Sequence, residues 1–178
     1  MKIWFRYNSR NSYSIAALIP LVDADLVLQP RAGIMLYSFA TPQAGEVYQE
    51  VDTARKAKLD AVFVAGGPHP SAVPEEVLEH FDFVVVGEGE ETLPELIRAI
   101  TDGLDSGMVK GIAYKSQGLI CFTEKRAPVN LDLYPPFTRI LAPIEISRGC
   151  PWGCTYCQTP RLFGRCMRHR DRKSTRLN

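Results

Sequence analysis

The sequence predicts an α/β fold built on a doubly wound parallel sheet, followed by a β-hairpin, a linker and a cysteine loop. Three observations carry this. Strand-like and helix-like segments alternate four times from the first residues onward. Two of the strand segments, "DAVFVAGG" and "DFVVVGEGE", open on near-continuous apolar runs, as strands covered on both faces do. The helical segment "AGEVYQEVDTARKAK" gathers Val47, Val51 and Ala54 on one face and its charges on the other.

The elements follow in order. "KIWFRY" (2–7) is aromatic and β-branched and reads as a strand. "NSYSIAALIPLVD" opens on capping-type Asn and Ser and has helical apolar spacing, with Pro20 distorting its end. A strand over 33–38, the amphipathic helix from Ala44 and a strand over 60–65 come next. "VPEEVLEHF" is expected as one helix with Pro74 in its first turn. A buried strand over 82–86 and the helix "ETLPELIRAI" complete the alternation. The pattern then changes: "MVKGIAYKSQGLICFTE" reads as a hairpin turning around Ser116–Gly118. "KRAPVNLDLYPPFTRILAP" holds four prolines and no helical period, as a linker wrapped on the surface would. "IEIS" is one more short strand, and the cysteine loop starts at its end. The expected division is 1–126, a linker 127–143, a second unit 144–170, and a tail 171–178.

Composition narrows the function classes. The 178 residues are 46% hydrophobic and 23% charged, ordinary for a globular protein of one full domain and part of another. The longest apolar runs are too short to span a bilayer, and the N-terminus lacks a secretory signal, so a cytoplasmic setting with free thiols and no membrane partner is expected. The net charge of +1 hides an asymmetry: Arg161 onward carries seven Lys/Arg and one Asp, and the chain before Arg161 is net acidic. A basic tail can mark nucleic-acid binding. Here "DRKSTRLN", Asp171–Asn178, reads as the in-frame translation of a sequencing adapter, so the tail is set aside from fold reasoning and the native chain is expected to be cut near Arg170.

Ligands of open parallel sheets bind outside the carboxyl ends of the strands. Those ends carry "SFATPQ", "GGPHPS" and "GEGE". The candidates there are Ser38, Thr41, Gly66, Gly67, His69, Gly87, Glu88 and Gly89. Glycine lets a ligand approach the backbone, although tight βα loops need glycine in any case. His69, between two prolines, can ligate a metal or bond to backbone and solvent. Glu88 and Glu90 can contact a ligand or serve as first-turn acids at a helix dipole.

In "ISRGCPWGCTYCQTP", Cys150, Cys154 and Cys157 follow the spacing C-x3-C-x2-C. Zinc sites take two short-spaced pairs, and here there is one trio. Cys166 and His169, further along the chain, belong to no second pair. A cubane iron–sulfur cluster suits three thiolates from one tight loop, with one iron left open. A zinc knuckle is the alternative. Cys121 in the hairpin is expected as a small buried hydrophobe and Cys166 as incidental.

This trio after a short strand, with Tyr156 just before the last cysteine, resembles the radical S-adenosylmethionine (SAM) superfamily. "AGGPHPSAVPEEVLEHFDFVVVGEGEETLPELI" is similar to its cobalamin (B12)-binding class, where a Rossmann-like domain precedes the radical SAM (β/α) barrel. The likeness covers residues 1–170. It departs from other B12 proteins in lacking their D-x-H-x-x-G signature, as many radical SAM members do. The resemblance implies a 4Fe-4S cluster on Cys150, Cys154 and Cys157, with SAM on the open iron and Tyr156 beside the adenine. It also implies cobalamin over the glycine loops. His69, a histidine outside any D-x-H-x-x-G signature, is a candidate cobalt ligand there, although a loop histidine between two prolines is more often hydrogen-bonded to backbone or solvent. The implied chemistry is methyl transfer to an unactivated carbon through a 5′-deoxyadenosyl radical, with an electron donor such as ferredoxin or flavodoxin. A non-enzymatic corrinoid- or nucleotide-binding module with a metal-binding loop is the alternative. With one barrel strand in the sequence, no turnover is expected of this chain alone.

Overall fold

The computed structural model describes residues 1–134 and 145–171. The expected strands form as β1 (Ile3–Arg6), β3 (Gly33–Ser38), β4 (Ala61–Gly66) and β5 (Phe83–Val85), with β2 (Asp25–Val27) as an unexpected edge strand. The hairpin forms as β6 (Ile112–Ser116) and β7 (Leu119–Phe122). One sheet holds all seven in the order β2-β1-β3-β4-β5-β6-β7. The first five are parallel and the hairpin joins β5 antiparallel.

The period-2 alternation of side chains explains why the central strands read as unbroken apolar runs. On β3, Met35 and Tyr37 face one layer and Ile34 and Leu36 the other. On β4, Phe63 and Ala65 face the first layer and Val64 the second. The first layer packs against α2 (Ala44–Lys56) through Val51 and Ala54, and against Val77, Leu78 and Phe81 in and after α4 (Pro74–Val77). The second packs against Ile15 of α1 (Ser12–Leu18) and Leu93, Leu96 and Ile97 of α5 (Thr92–Asp102). Helices thus cover both faces, as a doubly wound sheet requires.

Four sequence expectations need correction. The helix expected as "VPEEVLEHF" is confined to α4, and a separate helix, α3 (Pro68–Ala72), precedes it. Val73 between them has φ −134°, because the residue before a proline is pushed out of the helical region. The strand "IEIS" is reduced to β8 (Ser147–Arg148), which pairs antiparallel with β9 (Arg168–His169). Cys121 is half-buried: it lies on β7, the last strand of the sheet, whose other residues are exposed. Asp171, first residue of the expected unpacked tail, donates its N–H to Asp132 at 2.8 Å; the rest of that tail lies outside the described residues, as do positions 135–144 of the linker.

Between β8 and β9 run the cysteine loop and α6 (Thr159–Phe163), which lies against α3. The described linker crosses the surface with Val129 and Leu131 buried in it.

Candidate functional site

Chain direction decides where the site lies. β1 is flanked by β2 on one side and β3 on the other, so the connections leave in opposite directions and a crevice opens at the carboxyl edge. A cavity of about 210 Å³ occupies that edge. Phe5, Leu36, Val64, Val85 and Leu93 make an apolar floor, with Ala17 and Leu18 of α1 at one side. Ser38, Gly66, Gly67, Gly87, Glu88 and Gly89 form the rim. Leu162, Phe163 and Arg148, from the second half of the chain, close the remaining side.

Gly67 is required for the rim to form. Its φ is +96°, and a Cβ there would stand 2.7 Å from Ser38 Oγ and 3.2 Å from the Phe39 carbonyl. The loop after β4 can therefore pass over the end of β3 only without a side chain.

His69 and Thr41 do not line this cavity. His69 is buried, with Nε2 2.8 Å from the Tyr48 hydroxyl and Nδ1 3.1 Å from Thr41 Oγ1. Both ring nitrogens are engaged, and the ring lies against Phe39. The histidine acts as a packed, hydrogen-bonded link between α2 and α3.

Glu88 and Glu90 turn inward to a clasp that sequence reasoning missed. Arg148 Nη1 lies 2.7 Å from Glu90 Oε1 and 3.4 Å from Glu88 Oε1. Its Nε and Nη2 grip Glu145 at 2.7 and 2.8 Å, a two-pronged contact that suits the planar guanidinium. The Phe163 ring lies 5.2 Å from the guanidinium. Arg168 bonds Glu88 with both terminal nitrogens, reaches the Val129 carbonyl at 2.6 Å and the Phe163 carbonyl at 3.1 Å. Arg170 bonds the carbonyls of Leu131 and Tyr134 and lies 3.4 Å from Glu145 Oε2. Val129 N–H donates to Glu88 at 2.7 Å, and the Tyr13 hydroxyl donates to Glu145.

Three carboxylates thus meet three guanidinium groups, with Glu88, Glu90, Arg148 and Arg170 all buried. Burying any one of these charges alone would cost several kcal/mol, and mutual pairing offsets it. Burial pushes the Glu145 carboxyl up, but hydrogen bonds from Arg148 and Tyr13 outweigh it and hold the group below the usual carboxylate range. Burial works against the Arg148 charge, and its bonds to Glu145 with the nearby Glu90 raise its pKa nonetheless. The Tyr13 hydroxyl is pushed up by burial and by Glu145.

The cysteine loop follows Arg148 directly. Gly149 has φ +98°, and a Cβ there would overlap the Cys166 carbonyl. Cys150 N–H donates to the Gly164 carbonyl and Cys157 N–H to the Cys154 carbonyl, both at 3.2 Å. Cys150 and Cys157 are half-buried and Cys154 is exposed. The Thr159 side chain, then its backbone N–H, stabilises the Cys157 thiolate and lowers its pKa. Three thiols on one loop, one of them with its pKa lowered, suit a cluster by donor chemistry. Their sulfurs are not gathered: among the described residues no three His, Cys, Asp or Glu side chains come together as a metal group. Thiols hydrogen-bond one another weakly and thiolates repel, so the chain's own forces do not converge them. Tyr156 stands 88% exposed on this loop. A second, more open cavity of about 360 Å³ adjoins the loop at Gly149 and Thr159, and Tyr13, Arg148 and Phe163 line both cavities.

Fold and site together define an α/β ligand-binding domain clasped to a three-cysteine loop. Residues 16–97 match the B12 binding domain family. An uncharacterised methyltransferase of Pyrococcus horikoshii is 29% identical over 171 residues, covering 86% of this chain and 36% of that protein. The bacteriochlorophyllide d C-8(2)-methyltransferase of Chlorobaculum tepidum is 32% identical over 141 residues, covering 75% of this chain and 29% of that protein. The chain therefore spans about a third of the length of these curated relatives. The radical SAM methyltransferase TsrM of Kitasatospora setae, solved with cobalamin and a 4Fe-4S cluster bound, superposes with a TM-score of 0.75 at 16% identity, over 98% of this chain and 44% of that one. Residues 16–97 are thus similar to the B12 binding domain family, and the chain as a whole shares its fold with TsrM.

Proposed function

We propose that the chain is the corrinoid-binding and cluster-bearing part of a radical SAM methyltransferase acting on an unactivated carbon. The observation that carries this is the apolar, glycine-rimmed cavity at the sheet's switch point, separated from the cysteine loop by a wall of Tyr13, Arg148 and Phe163. When bound, the corrinoid supplies a methyl group, and the cluster supplies the electron that cleaves SAM.

The chain's own residues have these roles. The floor from Phe5 to Leu93 excludes water from a flat aromatic tail such as the nucleotide base of cobalamin. Gly66, Gly67, Gly87 and Gly89 let the corrin ring approach the backbone. His69 is committed to Tyr48 and Thr41 and is not offered to cobalt. Cys150, Cys154 and Cys157 hold the cluster, and Tyr156 stands free on the same loop for the adenine of SAM. Five free cysteines fit a reducing cytoplasm; none of the described helices is long and apolar enough to cross a membrane. The expected partners are a one-electron donor such as ferredoxin or flavodoxin and a substrate held by chain outside these residues.

Spectral titration with hydroxocobalamin, with co-elution on gel filtration, tests the first assignment; one equivalent bound supports it, and no spectral change with no co-elution overturns it. Anaerobic reconstitution with iron and sulfide tests the second: a brown protein that loses its iron in Cys157→Ala is expected, and full retention refutes the ligand set. SAM cleavage to 5′-deoxyadenosine by the complete protein separates an enzyme from a binding module.

A further inference from the structure

We propose that Arg148 is a positioning residue that couples the cavity rim to the cysteine loop. The inference requires neither corrinoid nor cluster. Glu90 sits at the end of the β5 loop that lines the cavity, far from the cysteines in sequence. It reaches the second half of the chain through a 2.7 Å ion pair to Arg148. Arg148 in turn is the last residue of β8 and stands just ahead of Gly149 and Cys150.

The geometry makes Arg148 a rigid relay. Its guanidinium is held from three sides: Glu90 and Glu88 from the cavity lining, Glu145 from the segment just ahead of β8, and the Phe163 ring across its face. Immediately after it, Gly149 turns against Cys166 and delivers Cys150 to the Gly164 carbonyl. A shift of the rim carboxylates must move the guanidinium or leave a buried charge unpaired. A shift of the guanidinium must move the start of the loop. Lysine cannot replace this relay, because a single ammonium does not span three carboxylates in a planar fork.

The test is a double-mutant cycle read at individual thiols. Alkylation rates of Cys150, Cys154 and Cys157 are measured by mass spectrometry in the reduced, metal-free chain. They are taken relative to Cys121, which lies on the far-edge strand β7 and reports general loosening. Glu90→Gln is isosteric and removes only the charge. It should raise the relative rate at Cys150 by about twofold or more, the low end of coupling within one ion-pair network. In an Arg148→Met background the same substitution should add nothing; Arg148→Lys serves as that background if Arg148→Met does not fold. Arg148→Lys alone should raise the rate as Arg148→Met does, showing that geometry rather than charge is relayed. An unchanged relative rate at Cys150 in Glu90→Gln overturns the inference. So does an equal Glu90→Gln effect with and without Arg148, or wild-type behaviour in Arg148→Lys. Hydroxocobalamin binding is scored separately, so failure of the corrinoid reading leaves this result intact.

Discussion

Gly66 and Gly67 are neighbours at the end of β4, and replacing each with alanine should move stability in opposite directions. At Gly66 the backbone is outside the left-handed region, and an added Cβ meets Val85 Cβ at 3.7 Å, ordinary contact. Gly66→Ala removes unfolded-state freedom at no strain, a gain of about 0.4–1 kcal/mol. At Gly67, φ +96° is costly for any side chain, and the Cβ stands 2.7 Å from Ser38 Oγ. Gly67→Ala should cost about 1–3 kcal/mol in backbone strain, before any overlap. The two variants should therefore differ by roughly 1.5–4 kcal/mol, or roughly 3–16 °C in Tm for a domain of this size. Thermal unfolding followed by far-UV circular dichroism reads this directly. The same two proteins also test the cavity: Gly66→Ala places its methyl on the cavity rim, so its hydroxocobalamin affinity should fall although its Tm rises. A Gly67→Ala protein as stable as wild type would refute the claim that the loop crosses β3 only without a side chain.

Three further outcomes are expected. Glu145 has a depressed pKa, so its stabilising pairs are intact above the usual carboxylate value of 4.5 and are lost as pH falls below it; limited proteolysis should release the 145–171 segment in acid before the sheet unfolds, and simultaneous loss of both would contradict this. Because Thr159 stabilises its thiolate, Cys157 should react with iodoacetamide at neutral pH faster than in Thr159→Val, whereas Cys154 should react equally in both; a response at both cysteines would count against the assignment. His69→Gln should leave the visible spectrum of bound cobalamin unchanged, since both ring nitrogens are engaged within the protein; a shifted cobalt band would restore it as a ligand.

The central strands were legible because each carries its own apolar pattern, and the cavity loops because topology places ligands at strand carboxyl ends. β2 was not, since Asp25–Val27 is three residues long and becomes a strand only by pairing with β1. The helix after β4 was misread because its apolar spacing continues past Pro74, and the conflict at Val73 is visible only in the backbone. The clasp was hidden for another reason: its members lie at 88–90, 145–148 and 168–170, and no local pattern joins them. One signal existed. The acidic chain before Arg161 and the basic run after it are complementary, and Arg168 and Arg170 within that run are spent on Glu88 and Glu145.

That matched set of six ions also governs what dissection of the protein would yield. Residues 1–126 expressed alone would keep the sheet and the cavity floor but lose all three arginines. Glu88 and Glu90, both on the cavity lining, would then give the entrance an acidic mouth. A phosphate-bearing tail would meet like charge there, and the repulsion would ease as salt screens it. The excised domain should therefore bind cobalamin more weakly than the longer chain, and its affinity should rise with ionic strength. Binding measured on the isolated domain would report the charge of a cut edge as much as the fit of the pocket.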